Sequence, residues 1–210
     1  MKIIKPYYEF VGGFNPEEML KKIEICGRVC YKSEDKITED SASRFVKGIV
    51  SRGHGSVLEH AGFTVKFVCD RGVSHEIVRH RIASFSQEST RYVNYANGKF
   101  GSEITVIEPC FFEAGSERYN IWKAACEAAE HAYFELMQVG CAPEEARSVL
   151  PNSLKTELVV TANVREWRHI LSLRAAHAAH PQARELMGRL LKELKAKAPA
   201  LFDDLDTEGE

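Results

Sequence analysis

Phe63, Val65, Phe67 and Cys69 alternate with Thr64 and Lys66, and this short run limits the fold more than any other part of the chain. A period of two puts the four apolar side chains on one face of a strand, and that face needs a covering layer. Within ten residues the pattern changes. Ser74 is placed to cap a short helix that turns Ile77 and Val78 inward and ends at Arg79-His80-Arg81. Cations suit that end, because the last carbonyls of a helix carry partial negative charge. A buried strand feeding a helix that closes on a basic cluster fits a mixed α and β architecture.

The remaining segments supply the helices. Asn15-Pro16-Glu17-Glu18 offers a cap, a proline in the first turn and acids at the positive end, so a helix is expected from there to about Tyr31, with Met19, Leu20, Ile23, Cys26 and Cys30 inward. A second helix is expected from Thr38, burying Phe45, Val46, Ile49 and Val50 and stopping at Gly53. Ile104 to Ile107 reads as a strand, and the longest helix should run from Ser116 to about Val139 on a stripe of Trp122, Cys126, Ala129, Tyr133 and Met137. Pro143 opens a short helix through Arg147 to Leu150; Leu158 to Ala162 reads as a buried strand. Asn163-Val164-Arg165-Glu166 has the form of a capping box for a helix bearing Trp167, Ile170, Leu171 and Arg174. The last helix is expected from Pro181 to near Lys197, before a frayed acidic tail from Asp203 to Glu210. The expected fold is α+β, one domain over residues 1–210, with a mostly antiparallel sheet flanked by helices.

Charge narrows the function. The chain has 28 basic and 30 acidic residues, net −2, so no global field favours nucleic acid or membrane. No apolar run approaches the roughly 20 residues that span a bilayer, and the N-terminal residues lack the apolar core of a signal peptide. A cytoplasmic protein is the expectation. The six cysteines form no Cys-x-x-Cys pair and read as reduced, mostly buried thiols, Cys110 among them. The basic character is local: Arg79 to Arg91 holds three arginines, one histidine and three serines against one carboxylate. Arginine forks match phosphate oxygens two at a time, and hydroxyls complete such cages.

The order of those residues resembles the signature of the flavin-dependent thymidylate synthases, Arg-His-Arg-x-x-Ser-x-x-x-x-Ser-x-Arg, met by Arg79, His80, Arg81, Ser84, Ser89 and Arg91. The likeness extends to four further places. Gly53 to His60 is similar to the family's His-rich segment, with Ser56 at its flavin-contacting hydroxyl. Arg147, in Glu145 to Pro151, matches a nucleotide-binding arginine. Asn163-Val164-Arg165 matches the flavin turn, and Leu171 to Arg174 matches the segment whose arginine lies against uracil. Glu76, Gln87 and His169 depart from the commoner Gln, Glu and Asn, though each keeps hydrogen-bonding capacity.

The resemblance implies methylation of deoxyuridylate (dUMP) to thymidylate (dTMP), with methylenetetrahydrofolate as carbon donor and FAD, recharged by NADPH, as hydride carrier. It assigns dUMP to Glu76, Ile77, Val78, Arg79, Gln87, Glu88, Ser89, Thr90, Arg91, Arg147 and Arg174. It assigns FAD to Ser56, Arg79, His80, Arg81, Gln87, Asn163, Val164, Arg165 and His169. Arg174 becomes the catalytic residue: a permanent guanidinium cannot act as a base but stabilises negative charge on the ring and enhances C5 as a nucleophile. Arg91 and Arg147 would hold the phosphate, and Ser89 would orient rather than attack. No metal is implied, and the spacings of His54, His60, His75, His80, His177 and His180 fit no zinc motif. A homotetramer with active sites shared between subunits follows from the likeness alone. Two other classes stay open: a nucleic-acid module using the same arginines with Tyr92 and Tyr95, and a metal-dependent nucleotide hydrolase.

Overall fold

The computed structural model describes residues 1–96 and 101–206. Six strands and eight helices follow in the order β1 (Lys2–Ile4), β2 (Tyr7–Val11), α1 (Pro16–Val29), α2 (Ser41–Ser51), β3 (Gly62–Asp70), α3 (Arg71–Ile77), β4 (Ala83–Gln87), β5 (Thr105–Ile107), α4 (Glu117–Gln138), α5 (Pro143–Ala146), β6 (Lys155–Asn163), α6 (Val164–Arg174), α7 (Pro181–Lys197) and α8 (Pro199–Phe202) among the described residues. The class is α+β. An antiparallel sheet of four strands runs β2-β3-β6-β4, and a second small sheet pairs β1 with β5 in parallel, Lys2 against Thr105.

The chain divides into two compact units. The first comprises Met1–Tyr7, Phe67–Val78 and Ser86–Leu158. Its core gathers Tyr95, Ile104, Val106, Cys126, Tyr133, Ala146 and Leu154 under α4. The second comprises Tyr8–Lys66, Arg79–Phe85 and Val159–Glu210. Here Trp167 of α6 stacks on Phe63 of β3 at 4.9 Å, with its indole N–H donating to the Phe63 carbonyl at 3.0 Å. Phe202 of α8 meets the same ring edge-on, so both helices are fixed against β3 by one aromatic cluster.

Several elements depart from expectation. Ser74 is not the cap of α3: the carboxylate of Asp70 accepts from Val73 N–H at 2.8 Å, and Ser74 lies inside the helix with its hydroxyl turned back to the Arg71 carbonyl. Asp is as good a cap as Ser, and it sits at the strand end where the cap is needed. Ile77 is buried but Val78 only half so. The signature does not unwind wholly into a loop, since Ala83–Gln87 forms β4. Helix α2 begins at Ser41, not Thr38, and α8 follows the helix expected to be last, burying Ala200, Leu201 and Phe202. Of the α4 stripe only Cys126 and Tyr133 are fully buried. Cys30 and Cys110 are exposed, not core. Strands β1 and β2 were not expected at all. Of the acidic tail, residues 207–210 lie outside the described residues.

Candidate active site

In the second unit the site is organised by the junction of β6 and α6. The Asn163 side chain caps the helix by accepting from Glu166 N–H at 2.9 Å, only one half of the expected capping box because the Glu166 side chain turns to His80, and Val164 N–H donates to the Ala61 carbonyl at 2.8 Å. Gly62 stands opposite. A Cβ there would lie 2.6 Å from the Ala162 carbonyl oxygen, so only glycine lets the chain pass this close to the start of α6.

That junction sets the rotation of α6. Trp167, Ile170 and Leu171 go to the core, while Glu166 and Arg174 flank the buried His80. Arg174 Nε donates to His80 Nε2 at 3.1 Å, and His80 Nδ1 lies 3.6 Å from Glu166 Oε1. The His169 ring meets His80 edge-on at 5.4 Å. Burial, then the positive charge of Arg174, then His169, lower the His80 pKa to about 4. The imidazole is therefore neutral at pH 7, and its approach to Glu166 is an N–H facing a carboxylate rather than an ion pair.

His80, Glu166 and His169 bring ligand atoms within 4.8 Å of one another, a grouping that could in geometry hold a metal ion. No sequence spacing showed it, because the three residues come from two separate segments. The Arg174 guanidinium already occupies one His80 nitrogen, and a fixed cation beside a dication is unfavourable.

Arg165 projects from the first turn of α6 and pairs with Glu59 at 2.6 Å. It lines a cavity of about 450 Å³ together with Gly53, Gly55, Ser56, Cys30 and Tyr31. A Cβ on Gly55 would come within 3.2 Å of Arg165 Nε, so the Arg165 side chain packs against bare backbone there. Val164 is fully buried, backbone included, and its N–H is taken by the Ala61 carbonyl. Arg79 and Arg81 are exposed.

In the first unit a separate set converges. Gln87 donates through Nε2 to Ser74 Oγ at 2.8 Å and Thr156 Oγ1 at 3.3 Å, which fixes its amide. Glu88 is bound by Lys155 at 2.9 Å and by Tyr95 O–H at 3.4 Å, and Lys155 also reaches Glu157 at 2.8 Å. Past them the chain turns: Ser89 Oγ accepts from Arg91 N–H at 3.3 Å. Arg91 Nε reaches the Glu144 carboxylate at 3.3 Å. Arg147 donates from Nη1 to the hydroxyl of the buried Thr90 at 3.2 Å and from Nε to the Glu144 carbonyl at 3.3 Å. Two guanidinium groups are thus held by one residue, Glu144, at the start of α5.

Most of these positions were named from the sequence, but their anchors were not. Gln87, Glu88, Ser89, Thr90, Arg91 and Arg147 gather in the first unit with Glu76, Ile77 and Val78; Arg174, Arg79, His80, Arg81, Ser56, Asn163, Val164, Arg165 and His169 belong to the second. Glu144, Lys155 and Thr156 carried no local signal. Glu166 was legible only as part of a cap.

Residues 15–200 match the family model described as thymidylate synthase complementing protein. A flavin-dependent thymidylate synthase of Geobacter sulfurreducens is 36% identical over 189 residues, covering 87% of this chain and 80% of its own length. One from Corynebacterium aurimucosum is 36% identical over 209 residues, covering 94% and 83%. The crystal structure of a UMP/dUMP methylase, PolB, from Streptomyces cacaoi bound with 5-Br dUMP superposes with a TM-score of 0.76 at 24% identity, over 97% of this chain and 96% of that one, which bears on the fold alone.

Proposed function

The chain belongs to the thymidylate synthase complementing protein family, whose relatives here are flavin-dependent thymidylate synthases, and on that premise we propose that it methylates dUMP to dTMP. Methylenetetrahydrofolate is the carbon donor in this reading and NADPH the reductant. The observation that carries it is the paired guanidinium site of Arg91 and Arg147, anchored on Glu144 and Thr90 beside the Ser89 turn. Two guanidinium groups anchored on one residue beside two hydroxyl-bearing positions suit a phosphate dianion, whose oxygens take arginine forks two at a time.

The cavity beside Arg165 and Ser56, about 450 Å³, has the size of a small-ligand site, roughly 300–1,000 Å³, and suits one part of FAD. Its lining combines backbone at Gly53 and Gly55 with a fixed cation. FAD, when bound, supplies the hydride. Ser56, Arg79, Arg81, Asn163, Arg165 and His169 are proposed to hold it.

The chain's own residues do the rest. Arg147 and Arg91 bind the phosphate, and Ser89 orients the turn that carries Arg91. Gln87, fixed by Ser74 and Thr156, and Glu88, fixed by Lys155, frame the nucleotide with the Glu76 to Arg79 segment. Arg174 stabilises negative charge at the pyrimidine ring and enhances C5 as a carbon nucleophile. The proposal includes a single catalytic domain, a homotetramer with shared active sites, and a cytoplasmic location. No helix among the described residues is long and apolar enough to cross a membrane.

A spectrum decides the matter. The purified protein should show flavin absorption that bleaches anaerobically with NADPH, and it should form dTMP from dUMP and methylenetetrahydrofolate. A colourless protein that ignores both added FAD and dUMP would end the proposal.

A further inference from the structure

Glu166 and Arg174 stand at opposite ends of α6, about 12 Å apart along its axis at 1.5 Å per residue. They cannot touch, and the His80 ring fills the interval. One nitrogen accepts from Arg174 Nε at 3.1 Å and the other faces Glu166 Oε1 at 3.6 Å. The side chains of His80 and Glu166 are only 3% and 10% exposed, so water does not substitute readily at either contact.

A neutral imidazole has one donor and one acceptor, and guanidinium can only donate. Nε2 must therefore carry the lone pair, and Nδ1 the proton. The other tautomer would set N–H against N–H at Arg174 and a bare lone pair against the Glu166 carboxylate. Both contacts are repulsive. The carboxylate thus decides whether Arg174 finds an acceptor on His80, as second-layer carboxylates commonly fix histidine tautomers.

We propose that Glu166 is a positioning residue for Arg174: through His80 it fixes the direction in which the guanidinium points. The functional consequence rests on the role proposed above for Arg174, whereas control of the tautomer does not. Glu166 also closes the first turn of α6, and its backbone N–H is bound by Asn163. Its side chain serves a different partner from its backbone, which makes the two roles separable by substitution.

The test uses the flavin-loaded full chain with Glu166→Leu, Glu166→Gln, Arg174→Ala and the Leu/Ala pair. Leucine fills the volume and offers no acceptor; glutamine keeps a carbonyl oxygen opposite Nδ1–H. In 15N spectra of labelled protein, His80 should be the Nδ1–H tautomer, with Arg174 Nε–H shifted by its hydrogen bond. Glu166→Leu should change both signals and Glu166→Gln should restore them. Melting temperature and flavin absorbance verify that each variant is folded and loaded. In turnover, Glu166→Leu should lower kcat about 10- to 100-fold, the cost of a misplaced group, with KM for dUMP little changed. Glu166→Gln should recover most of that loss, and the Leu/Ala pair should be no slower than Arg174→Ala alone. Unchanged His80 and Arg174 signals in a folded Glu166→Leu protein would overturn the proposal, as would additive losses in the pair. If the unmodified protein makes no dTMP, the role of Arg174 fails while the two spectral signals still decide Glu166.

Discussion

Arg91 and Arg147 are both assigned to the dUMP phosphate, yet their surroundings make them unequal. Arg147 is oriented by two neutral acceptors, the Thr90 hydroxyl and the Glu144 carbonyl, so its charge is unopposed by those contacts. Arg91 faces the Glu144 carboxylate at 3.3 Å, with side-chain exposures of 53% and 52%. A hydrogen bond to a charged group is worth about 1.5–3 kcal/mol, so Arg147→Ala should weaken dUMP binding about 10- to 150-fold. For Arg91 the phosphate must displace or share an exposed ion pair worth about 0.2–1 kcal/mol. The net loss in Arg91→Ala is then about 1–2 kcal/mol, or roughly 5- to 30-fold.

Glu144→Gln sharpens the argument. It removes the competing carboxylate but leaves the backbone carbonyl that orients Arg147. Binding of dUMP should tighten by about 2- to 5-fold, the reciprocal of the same exposed pair. Isothermal titration with dUMP and with deoxyuridine, at low and moderate salt, reads all three variants. The effects should vanish for deoxyuridine, which lacks the phosphate, and shrink as salt screens the exposed charges. Equal losses in Arg91→Ala and Arg147→Ala, or weaker dUMP binding in Glu144→Gln, would refute the inequality of the two arginines.

His80 is held below its ordinary pKa of 6.5, at about 4, so the unfolded chain binds an extra proton between those values. Its contribution to stability is complete above about pH 6.5 and lost as pH falls to about 4, with a ceiling of roughly 3 kcal/mol. His80→Gln should flatten that part of the melting-temperature profile; an unaltered slope would refute the shift. Gly62→Ala puts a Cβ 2.6 Å from the Ala162 carbonyl oxygen. The clash should cost about 1–3 kcal/mol and lower Tm by about 3–10 °C in calorimetry. A change within 1 °C would contradict the close approach. Arg168 binds both Asp204 oxygens, at 2.7 and 2.6 Å, and the Leu201 carbonyl, tying α8 to α6. Hydrogen bonding to Arg168 lowers the Asp204 pKa, so the pair stabilises above pH 3.8 and its contribution fades as acid protonates the carboxyl. Arg168→Ala should cost about 1–2 kcal/mol at pH 7 and less in acid. Equal loss at both pH values would exclude the pair as the cause.

Caps were the most legible part of the chain, because a cap is decided by residues three apart. Asn15 and Asn163 each accept a backbone N–H as the sequence suggested, and Ser116, expected as the first residue of its helix, is its cap. Ser74 misled because Asp70 lay four residues earlier with equal capping power. Strand β4 was hidden by its composition: Ser84 and Ser86 face out, while Ala83, Phe85 and Gln87 are only half-buried, so neither face reads as apolar. Strand β1 is three residues long and finds its partner about a hundred residues away, at Thr105. The same distance hid the anchors. Thr90 and Arg147, or His80 and Arg174, meet only after the chain has folded, and no local pattern announces such pairs.

The start of α6 explains why the second group of site residues holds together. An α-helix turns 100° per residue, so a slip of one position at Asn163 would carry Glu166 off the His80 ring and Arg174 off its acceptor at once. Three contacts oppose that slip from different directions. Asn163 binds Glu166 N–H, Val164 N–H binds Ala61, and Trp167 binds and stacks on Phe63. Two of these reach the segment around β3, which Gly62 allows to pass close by. Placing Arg174 is therefore not a property of the arginine or of its own end of the helix. It is set eleven residues earlier, at the cap and strand contacts that fix the helix's rotation, and transmitted along a rigid element to the His80 ring.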